Sequence, residues 1–391
     1  MRLAHLWLTD FRGHQESEVE VGPGITVFAG GNAQGKTTVL EAVGWLARMS
    51  SFRGAPDSAL VRVGCEKAIV RAEIVPADRG PDVRPDLIEA EIAAAGRNRV
   101  LLNRKPLPRA RDLLGSLRIT VFAPDDLRLV KAGPAERRAE LDDLLVALSP
   151  RYDAVQSDYE RVLKHRNAWL RTWSRADDPA TLDVWDQQLV RAGAELVRGR
   201  LKLLDRLAAP LGKAYGDVAG AAADVSGAYE AAWAGDVILD ETRLDDVAPL
   251  LAEAVTRSRS ADLERRLTLV GPHRDDWRLS IDGLDGRRYA SQGEQRSLAL
   301  AVRLAGHVVI SDVVGEPPVL LLDDVFSELD ETRANNLVAH MPIAQALVTT
   351  AGTLPPGLPA ERVVWVAGGR LEARGDGGCP PDSGGVSRQG Q

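Results

Sequence analysis

Cysteine is scarce in this sequence, and long apolar runs are missing from it. Cys65 and Cys379 are the two cysteines among 391 residues, too few for a disulfide framework or a cysteine-ligated zinc site. No uninterrupted apolar stretch approaches the roughly 18 residues of a membrane-spanning helix. Charged and polar side chains interrupt residues 1–10, so this segment lacks the apolar core of a signal peptide. We therefore expect a soluble protein of the reducing cytoplasm.

An excess of positive charge is lacking as well. The formal net charge is -7, and 27% of the residues are charged. This balance excludes a basic coat protein of nucleic acid and a disordered acidic chain, so any DNA-binding surface must be local. The length exceeds the roughly 250 to 300 residues at which a single core stops growing, which favours a molecule of two lobes.

Hydrophobic periodicity predicts strands in the first third of the chain. Residues 3–8 alternate between apolar and polar side chains, and 25–28 is a short apolar run that ends in glycine. After Gly35 the apolar side chains recur at helical spacing, which predicts a helix. Residues 69–102 form short apolar segments broken by proline and glycine, which predict an antiparallel appendage.

The middle of the chain has helical periodicity. Between residues 134 and 216, apolar side chains recur at every third or fourth position, which predicts two antiparallel helices of about 20 to 30 residues separated near Pro179. These helices would form a short arm. A further helix is expected at 244–266, and strand texture resumes at Leu267.

A glycine-rich loop stands between a predicted strand and a predicted helix. It fits the phosphate-loop pattern, in which backbone N–H groups and the positive helix end hold phosphates. Lys36 is expected to reach the β and γ phosphates of ATP, and the Thr37 hydroxyl to ligate Mg²⁺. The predicted ATP-binding residues of this segment are Gly30, Gly31, Asn32, Ala33, Gln34, Gly35, Lys36, Thr37 and Thr38.

A second motif ends an apolar strand. Residues 318–322 are followed by Asp323 and Asp324, the usual form of the second magnesium-binding element in such ATPases. Asp323 is expected to hold Mg²⁺ through water, and Asp324 stands where the general base for the attacking water would stand. A capping or solvated carboxylate is the alternative for Asp324. The candidate catalytic residues are thus Lys36, Asp323 and Asp324, and the candidate metal ligands are Thr37 and Asp323.

A third motif resembles the signature of ABC-type ATPases. Its serine hydroxyl, glycine backbone and helix N-terminus make a second anion site, which by the geometry of that family reaches a nucleotide bound to another protomer. An ordinary capping box, with Ser291 as the N-cap and Glu294 three residues on, is the alternative. The candidate signature residues are Ser291, Gly293, Glu294 and Gln295, and Ser327 and Asp330 resemble the D-loop that follows.

These motifs, together with residues 8–12, 121–127, 133–142 and 270–276, resemble the RecF family of bacterial recombination mediators, relatives of SMC and Rad50 heads. The resemblance implies an α/β fold: an ABC-ATPase head, with a P-loop parallel sheet and an antiparallel β subdomain, plus an inserted α-helical lobe with a short antiparallel arm. We place the parts of the ATPase lobe at 1–122 and 267–372, the helical lobe at 123–266, and a disordered tail at 373–391.

The resemblance also implies a function and partners. In this family ATP closes a head-to-head dimer on DNA and helps to place RecA at single-strand gaps together with RecO and RecR. Arg12 should approach the nucleotide, and the segment around His273 should lie near a dimer or lobe interface, with a structural histidine as the alternative. For Arg137 and Arg138, a solvated helix face is favoured because exposure is the default for arginine.

We expect a weak, DNA-dependent ATPase. Transporter-type ABC subunits carry a glutamate at the position of Asp324, and the aspartate side chain is one methylene shorter. A base misplaced by about 1 Å can lower the rate on the order of a hundredfold. No glutamine near Phe122 can serve as a Q-loop, and Thr349 and Thr350 occupy the switch position in place of histidine. Slow hydrolysis suits a clamp that releases its DNA when ATP is spent.

DNA, as duplex or as a duplex/single-strand junction, would contact the paired heads through its phosphates. No base-reading motif is evident, so binding should be independent of sequence and sensitive to salt. The candidate DNA-binding residues are Arg97, Arg99, Arg104, Lys105, Arg109 and Arg111. A second basic group contains Arg257, Arg259, Arg265 and Arg266. For both groups, solvated surface charge is the alternative.

Other classes of protein share some of these features. An SMC or Rad50 head joins its two halves through hundreds of residues of heptads, whereas the arm here is short. A nucleotide-binding scaffold without clamp activity need not keep Lys36, Thr37, Ser291 and Asp323 together. A transporter subunit would bind a membrane partner and carry its signature much closer to the lysine.

Overall fold

The computed structural model describes residues 1–76, 84–174, 180–342, 344–352 and 354–374. Its helices are α1 (Lys36–Arg48), α2 (Arg128–Lys131), α3 (Pro134–Leu148), α4 (Arg151–Thr172), α5 (Ala180–Ala219), α6 (Val247–Arg265), α7 (Gln292–Val314) and α8 (Glu331–His340). Its strands are β1 (Arg2–Phe11), β2 (His14–Glu20), β3 (Ile25–Ala29), β4 (Lys67–Val75), β5 (Asp86–Ala93), β6 (Arg99–Leu102), β7 (Lys105–Pro106), β8 (Ile119–Phe122), β9 (Val225–Glu230), β10 (Asp276–Ile281), β11 (Leu284–Asp285), β12 (Val319–Asp323), β13 (Ala346–Thr350), β14 (Ala360–Ala367) and β15 (Arg370–Arg374).

A mostly parallel sheet forms the centre of the ATPase lobe. Its strand order is β15-β14-β3-β13-β12-β8, and the strands from β14 to β8 run parallel. β12 and β13 are buried along their whole length, as expected of parallel strands that are covered on both faces. The carboxyl ends of β3, β13 and β12 therefore meet at one edge of the sheet, where α/β proteins bind ligands.

The antiparallel appendage predicted from residues 69–102 is confirmed, and it is larger than expected. Its strand order is β2-β1-β4-β5-β6-β7, so the first two strands of the chain belong to it as well. Along β4 buried and more exposed residues alternate, because one face of the sheet packs on the core and the other faces solvent. The hairpin of β6 and β7 lies at one edge.

The helical lobe contains the predicted antiparallel arm, but its two helices differ in length. α4 has 22 residues, within the expected range, whereas α5 has 40 and exceeds it. The excess arises because α5 continues beyond the arm and packs on α6, α7 and β9. Pro179, the expected break between the two helices, lies outside the described residues.

One further expectation near the lobe boundary needs correction. The strand expected at Leu267 is wrong, since residues 267–275 are irregular and β10 begins at Asp276. β10 pairs with β9, which comes from the predicted helical part, so this small sheet crosses the proposed boundary at 266. The predicted tail starts inside β15, and residues 375–391 lie outside the described residues.

The solvated helix face favoured for Arg137 and Arg138 is also wrong. Arg137 is 5% exposed, and its guanidinium donates two hydrogen bonds of 2.8 Å to the carboxylate of Asp276. Arg138 donates to the backbone carbonyl of Asp275 at 2.6 Å. Such paired, hydrogen-bonded charges are the form in which arginine is tolerated in a core. Arg137 ties α3 to the first residue of β10, and Arg138 ties it to the loop before β10.

The same loop anchors the helical lobe through buried polar groups. Arg200 of α5 donates to the carboxylate of Asp142 and, at 2.9 Å, to the carbonyl of Pro272. His273 Nδ1 lies 2.6 Å from the Tyr159 hydroxyl, and burial lowers the pKa of His273 to about 4. His273 is thus a neutral, hydrogen-bonded ring inside the fold, as expected of a structural histidine. A role of this segment at an interface stays a prediction.

One helix of the described residues is long and apolar enough to cross a membrane. This is α7, and 67% of its most apolar window is buried inside the protein. Its apolar side chains pack on α5, α3 and β8. Length and composition alone do not distinguish such a core helix from a membrane span.

Candidate nucleotide site

The phosphate loop connects β3 to α1 and has the backbone that glycine makes possible. Gly30 and Gly35 have φ values of 156° and 106°. Residues with a Cβ atom adopt such values only with strain. The ammonium of Lys36 donates to the carbonyls of Gly30 at 2.8 Å and Gly31 at 2.7 Å, so it lies across the loop. Burial lowers the pKa of Lys36, while the nearby Asp324 and Asp323 act in the opposite direction.

The rest of the loop is open on one side. Asn32 and Ala33 are exposed, and Ala33 has a φ of 60°. Gln34 is held from outside the loop, because its side-chain and backbone oxygens accept hydrogen bonds from the turn between β14 and β15. Thr38 is buried, and its amide donates to Gly35 at 3.1 Å to start α1.

Asp323 joins the first two motifs. Its Oδ1 accepts one hydrogen bond from the Thr37 hydroxyl at 2.7 Å and another from the Thr349 hydroxyl at 2.8 Å. The two residues predicted to hold Mg²⁺, Thr37 and Asp323, are therefore direct neighbours. A hydroxyl and a carboxylate oxygen are the ligand types that Mg²⁺ prefers beside phosphates, so the pair fits this ion.

Asp324 has an unusual backbone conformation, with φ 49° and ψ 29°. Its amide donates to the Thr349 hydroxyl at 2.9 Å, and its carbonyl accepts from Ser327 Oγ at 2.8 Å. Left-handed backbone is uncommon outside glycine and clusters at functional sites. Here it turns the chain sharply from the end of β12 into the D-loop that contains Ser327.

Thr349 has a larger role than its sequence position indicates. The sequence predicts that Thr349 and Thr350 only replace a switch histidine, yet the Thr349 hydroxyl bridges Asp323 and Asp324. Thr350 differs, since its hydroxyl bonds to the nearby backbone of Gly352. No local pattern signals this role, because it depends on the parallel pairing of β13 with β12.

The signature segment forms the N-terminus of α7. Ser291 and Glu294 make a reciprocal capping box, with the amide of Ser291 2.7 Å from Glu294 Oε2 and the amide of Glu294 3.3 Å from Ser291 Oγ. Ser291 is exposed, whereas Gln295 is buried and donates to the carbonyls of Gly286 and Arg287. The structure thus contains the capping box that was the alternative to a signature motif. The Ser291 side chain is nevertheless exposed, so a second chain could contact it.

The D-loop and the signature segment are in contact. Asp330 is the N-cap of α8 and also pairs with Arg333. Arg333 Nε lies 3.0 Å from Ser297 Oγ, and a methyl group built on Gly293 would come within 2.8 Å of the Arg333 side chain. The two loops therefore pack closely against each other and form one surface.

Arg12 lies beside α1 and forms an ion pair with Glu41, whose side chain is fully buried. Ser51 donates to the same carboxylate. The Arg12 guanidinium keeps 25% exposure. Its approach to the nucleotide stays a prediction.

Among the basic candidates for DNA binding, four arginines pair with carboxylates of the described residues. Arg109 pairs with Asp112, and Arg111 with Asp153. Within the second basic group, Arg257 pairs with Glu253 and Arg259 with Asp183. The exposed cations on or beside the β6–β7 hairpin are Arg97, Arg99, Arg104 and Lys105.

The chain is similar to proteins of one family along almost all of its length. Residues 2–352 match the model of the RecF/RecN/SMC N terminal domain. The DNA replication and repair protein RecF of Frankia alni is 46% identical over 386 residues, which cover 95% of this chain and 100% of that relative.

Solved structures agree with this similarity. The recombination mediator protein RecF-ATP of the RecFOR pathway superimposes with a TM-score of 0.84 at 28% identity, covering 95% of this chain and 99% of the other. An SMC head bound to the C-winged helix domain of ScpA has a TM-score of 0.55 at 15% identity, covering 96% and 97%, and shows a likeness of fold alone. The α/β fold expected from the sequence, an ABC-ATPase head with an inserted helical lobe, is confirmed.

We predict that Thr349→Val lowers the turnover of ATP about tenfold and leaves nucleotide affinity nearly unchanged. Valine keeps the shape of threonine, but it removes one of the two hydrogen bonds to Asp323 Oδ1 and leaves the Asp324 amide without this acceptor, a loss of the size of a buried hydrogen bond. Steady-state phosphate release and binding of a fluorescent ATP analogue measure the two quantities. Thr350→Val is the matched control, and equal turnover in both variants would contradict the bridging role.

Proposed function

The chain belongs to the RecF family, and from this membership we propose that it is an ATP-dependent DNA-binding protein of recombinational repair in which ATP closes a head-to-head dimer. The observation that carries the proposal is the exposure of Ser291 at the start of α7. Lys36 begins α1, which packs in one core cluster with Ile119 and Val121 of β8, whereas α7 packs in the other core cluster with Phe122 of the same strand. A second protomer can bring its Ser291 to the nucleotide on the first.

ATP shared in this way drives association by mass action. A nucleotide that contacts both protomers binds the dimer better than the monomer and shifts the equilibrium toward the dimer. A shift from 1:99 to 99:1 requires about 5.5 kcal/mol of differential affinity. Two shared nucleotides supply it through four interfaces between phosphate and protein.

Mg²⁺ completes the site in this proposal. Thr37 and Asp323 would hold the ion, which neutralises charge on the phosphates. Asp324 is the proposed general base, and its short side chain at a left-handed backbone position supports slow turnover. Slow turnover gives the closed dimer a long lifetime before DNA is released.

The exposed edge hairpin is the proposed DNA contact. Asn103 and Arg104 form its turn with φ values of 52° and 65°, and Lys105 follows. Exposed cations that pair with no carboxylate of the described residues can neutralise phosphates, which gives binding without sequence preference. Arg109 and Arg111 would need to leave their carboxylates to take part.

The wider role follows from family membership. We propose that the closed dimer acts in the cytoplasm at single-strand gaps and assists the loading of RecA with RecR and RecO, with duplex DNA or a duplex/single-strand junction as its substrate. DNA is proposed to stimulate its ATPase activity.

The proposed dimer is tested by light scattering with and without ATP and Mg²⁺, followed by binding of short duplex DNA. The wild type should dimerise with ATP and bind duplex more tightly as a dimer. Ser291→Arg should bind nucleotide and stay monomeric, because the added side chain blocks the facing phosphate. Ser226→Arg, an exposed serine of β9, is the control and should dimerise normally.

A wild-type protein that stays monomeric with ATP, Mg²⁺ and duplex all present would overturn the clamp. A nucleotide-binding scaffold would then be the better account. Dimers of Ser291→Arg that form with normal affinity would show instead that the interface lies elsewhere.

We predict that Arg104→Glu combined with Lys105→Glu weakens duplex binding and lowers the slope of log affinity against log salt by about two, since each lost phosphate contact removes about 0.9. Fluorescence anisotropy with ATP at several salt concentrations measures both. Lys202→Glu with Arg206→Glu, exposed on α5, is the charge-matched control. An equal loss in the control would point to net charge instead of a local contact.

A further inference from the structure

One turn and one side chain from outside the phosphate loop hold its last two carbonyl groups. The amide of Gly369, in the turn between β14 and β15, donates to the Gln34 carbonyl at 3.2 Å. His14 Nε2, at the start of β2, lies 3.1 Å from the Gly35 carbonyl. These adjacent carbonyls immediately precede Lys36.

A planar trans peptide points its N–H away from its C=O. The amide of Gly35 therefore faces away from the Gln34 carbonyl, and the amide of Lys36 faces away from the Gly35 carbonyl. Holding both carbonyls outward aims both amides inward. Amides of such a loop cradle the α and β phosphates of a nucleotide.

We propose that His14 and the Gly368–Gly369 turn are positioning groups for nucleotide binding, which aim the amides of Gly35 and Lys36 at the phosphates by anchoring the carbonyls behind them. The inference rests on the proposed nucleotide site and does not depend on the dimer. Neither His14 nor the turn belongs to the three ATPase motifs.

The ring of His14 is fixed by a further contact. Its side chain is fully buried, and its Nδ1 lies 2.9 Å from Ser17 Oγ, which in turn lies 2.8 Å from the Gly369 carbonyl. Because a carbonyl only accepts, Nε2 must carry the hydrogen that is donated to Gly35. Burial lowers the pKa of His14, which favours a neutral ring with a single N–H, at Nε2. Nδ1 then accepts the one hydrogen of the Ser17 hydroxyl, which goes to the ring in place of the Gly369 carbonyl.

The phosphate loop, the start of β2 and the β14–β15 turn are closely packed against one another. A methyl group on Gly35 would come within 2.7 Å of His14 Nε2, and one on Gly369 within 2.3 Å of the Gly13 carbonyl. Gly368 adds a second bond, since its amide donates to Gln34 Oε1 at 2.8 Å. The hairpin near the end of the described chain is thereby coupled to the loop near its beginning.

The test is the affinity for fluorescent ADP and ATP analogues in His14→Gln, His14→Asn and His14→Phe. The amide nitrogen of glutamine can occupy the place of Nε2, whereas that of asparagine reaches only the place of Nδ1. We expect His14→Gln to bind both analogues within about threefold of the wild type. His14→Asn and His14→Phe should bind both about tenfold more weakly, the effect of one buried hydrogen bond.

His307→Gln is the matched control, because His307 is also buried but lies on α7 against Thr120. It should bind both analogues like the wild type. Equal affinities of the glutamine and asparagine variants would overturn the inference, even if His14→Phe fails to fold. Because ADP binding needs no dimer, a wild-type protein that binds ADP but stays monomeric with ATP, Mg²⁺ and duplex DNA would overturn the clamp alone.

Discussion

Two hydrogen bonds to Oδ1 of Asp323 join three segments that are far apart in the sequence. Thr37 donates from the start of α1, and Thr349 donates from the end of β13. The strand order β3-β13-β12 places all three at one edge of a buried sheet. Since the strands cannot shift separately in a close-packed core, the phosphate loop and the carboxylate of β12 form one rigid unit. The left-handed turn at Asp324 begins from this unit and leads into the D-loop.

A rigid half-site favours the use of ATP as a clamp. Protein groups that are already oriented to bind phosphate lose little conformational freedom when ATP binds. More of the interaction energy then remains for the proposed association of two protomers. The capping box orders the signature segment in the same way, because Ser291 and Glu294 satisfy each other's amides while the serine stays exposed. Both halves of the proposed shared site are thus formed before they meet.

The parts of the site that could be predicted from the sequence are those carried by short local patterns. The loop before Lys36, the aspartates at the end of β12 and the capping box at Ser291 all lie on the expected elements. The missed features depend on distant pairs: Arg137 is buried only because Asp276 lies beside it, and His14 meets Gly35 only through the fold. Local periodicity also could not show that residues 267–275 are irregular, since apolar side chains in a packed loop resemble those of a strand.

A mixing experiment tests most directly whether one nucleotide is shared by two protomers. Lys36→Ala lacks the phosphate-binding half of the site, and Ser291→Arg lacks the facing half, so each variant alone should show little ATP turnover. If the site is shared, a mixture of the two proteins regains turnover, because each heterodimer contains one site with an intact Lys36 and an intact Ser291. A mixture whose turnover is only the average of the separate variants would contradict the shared site.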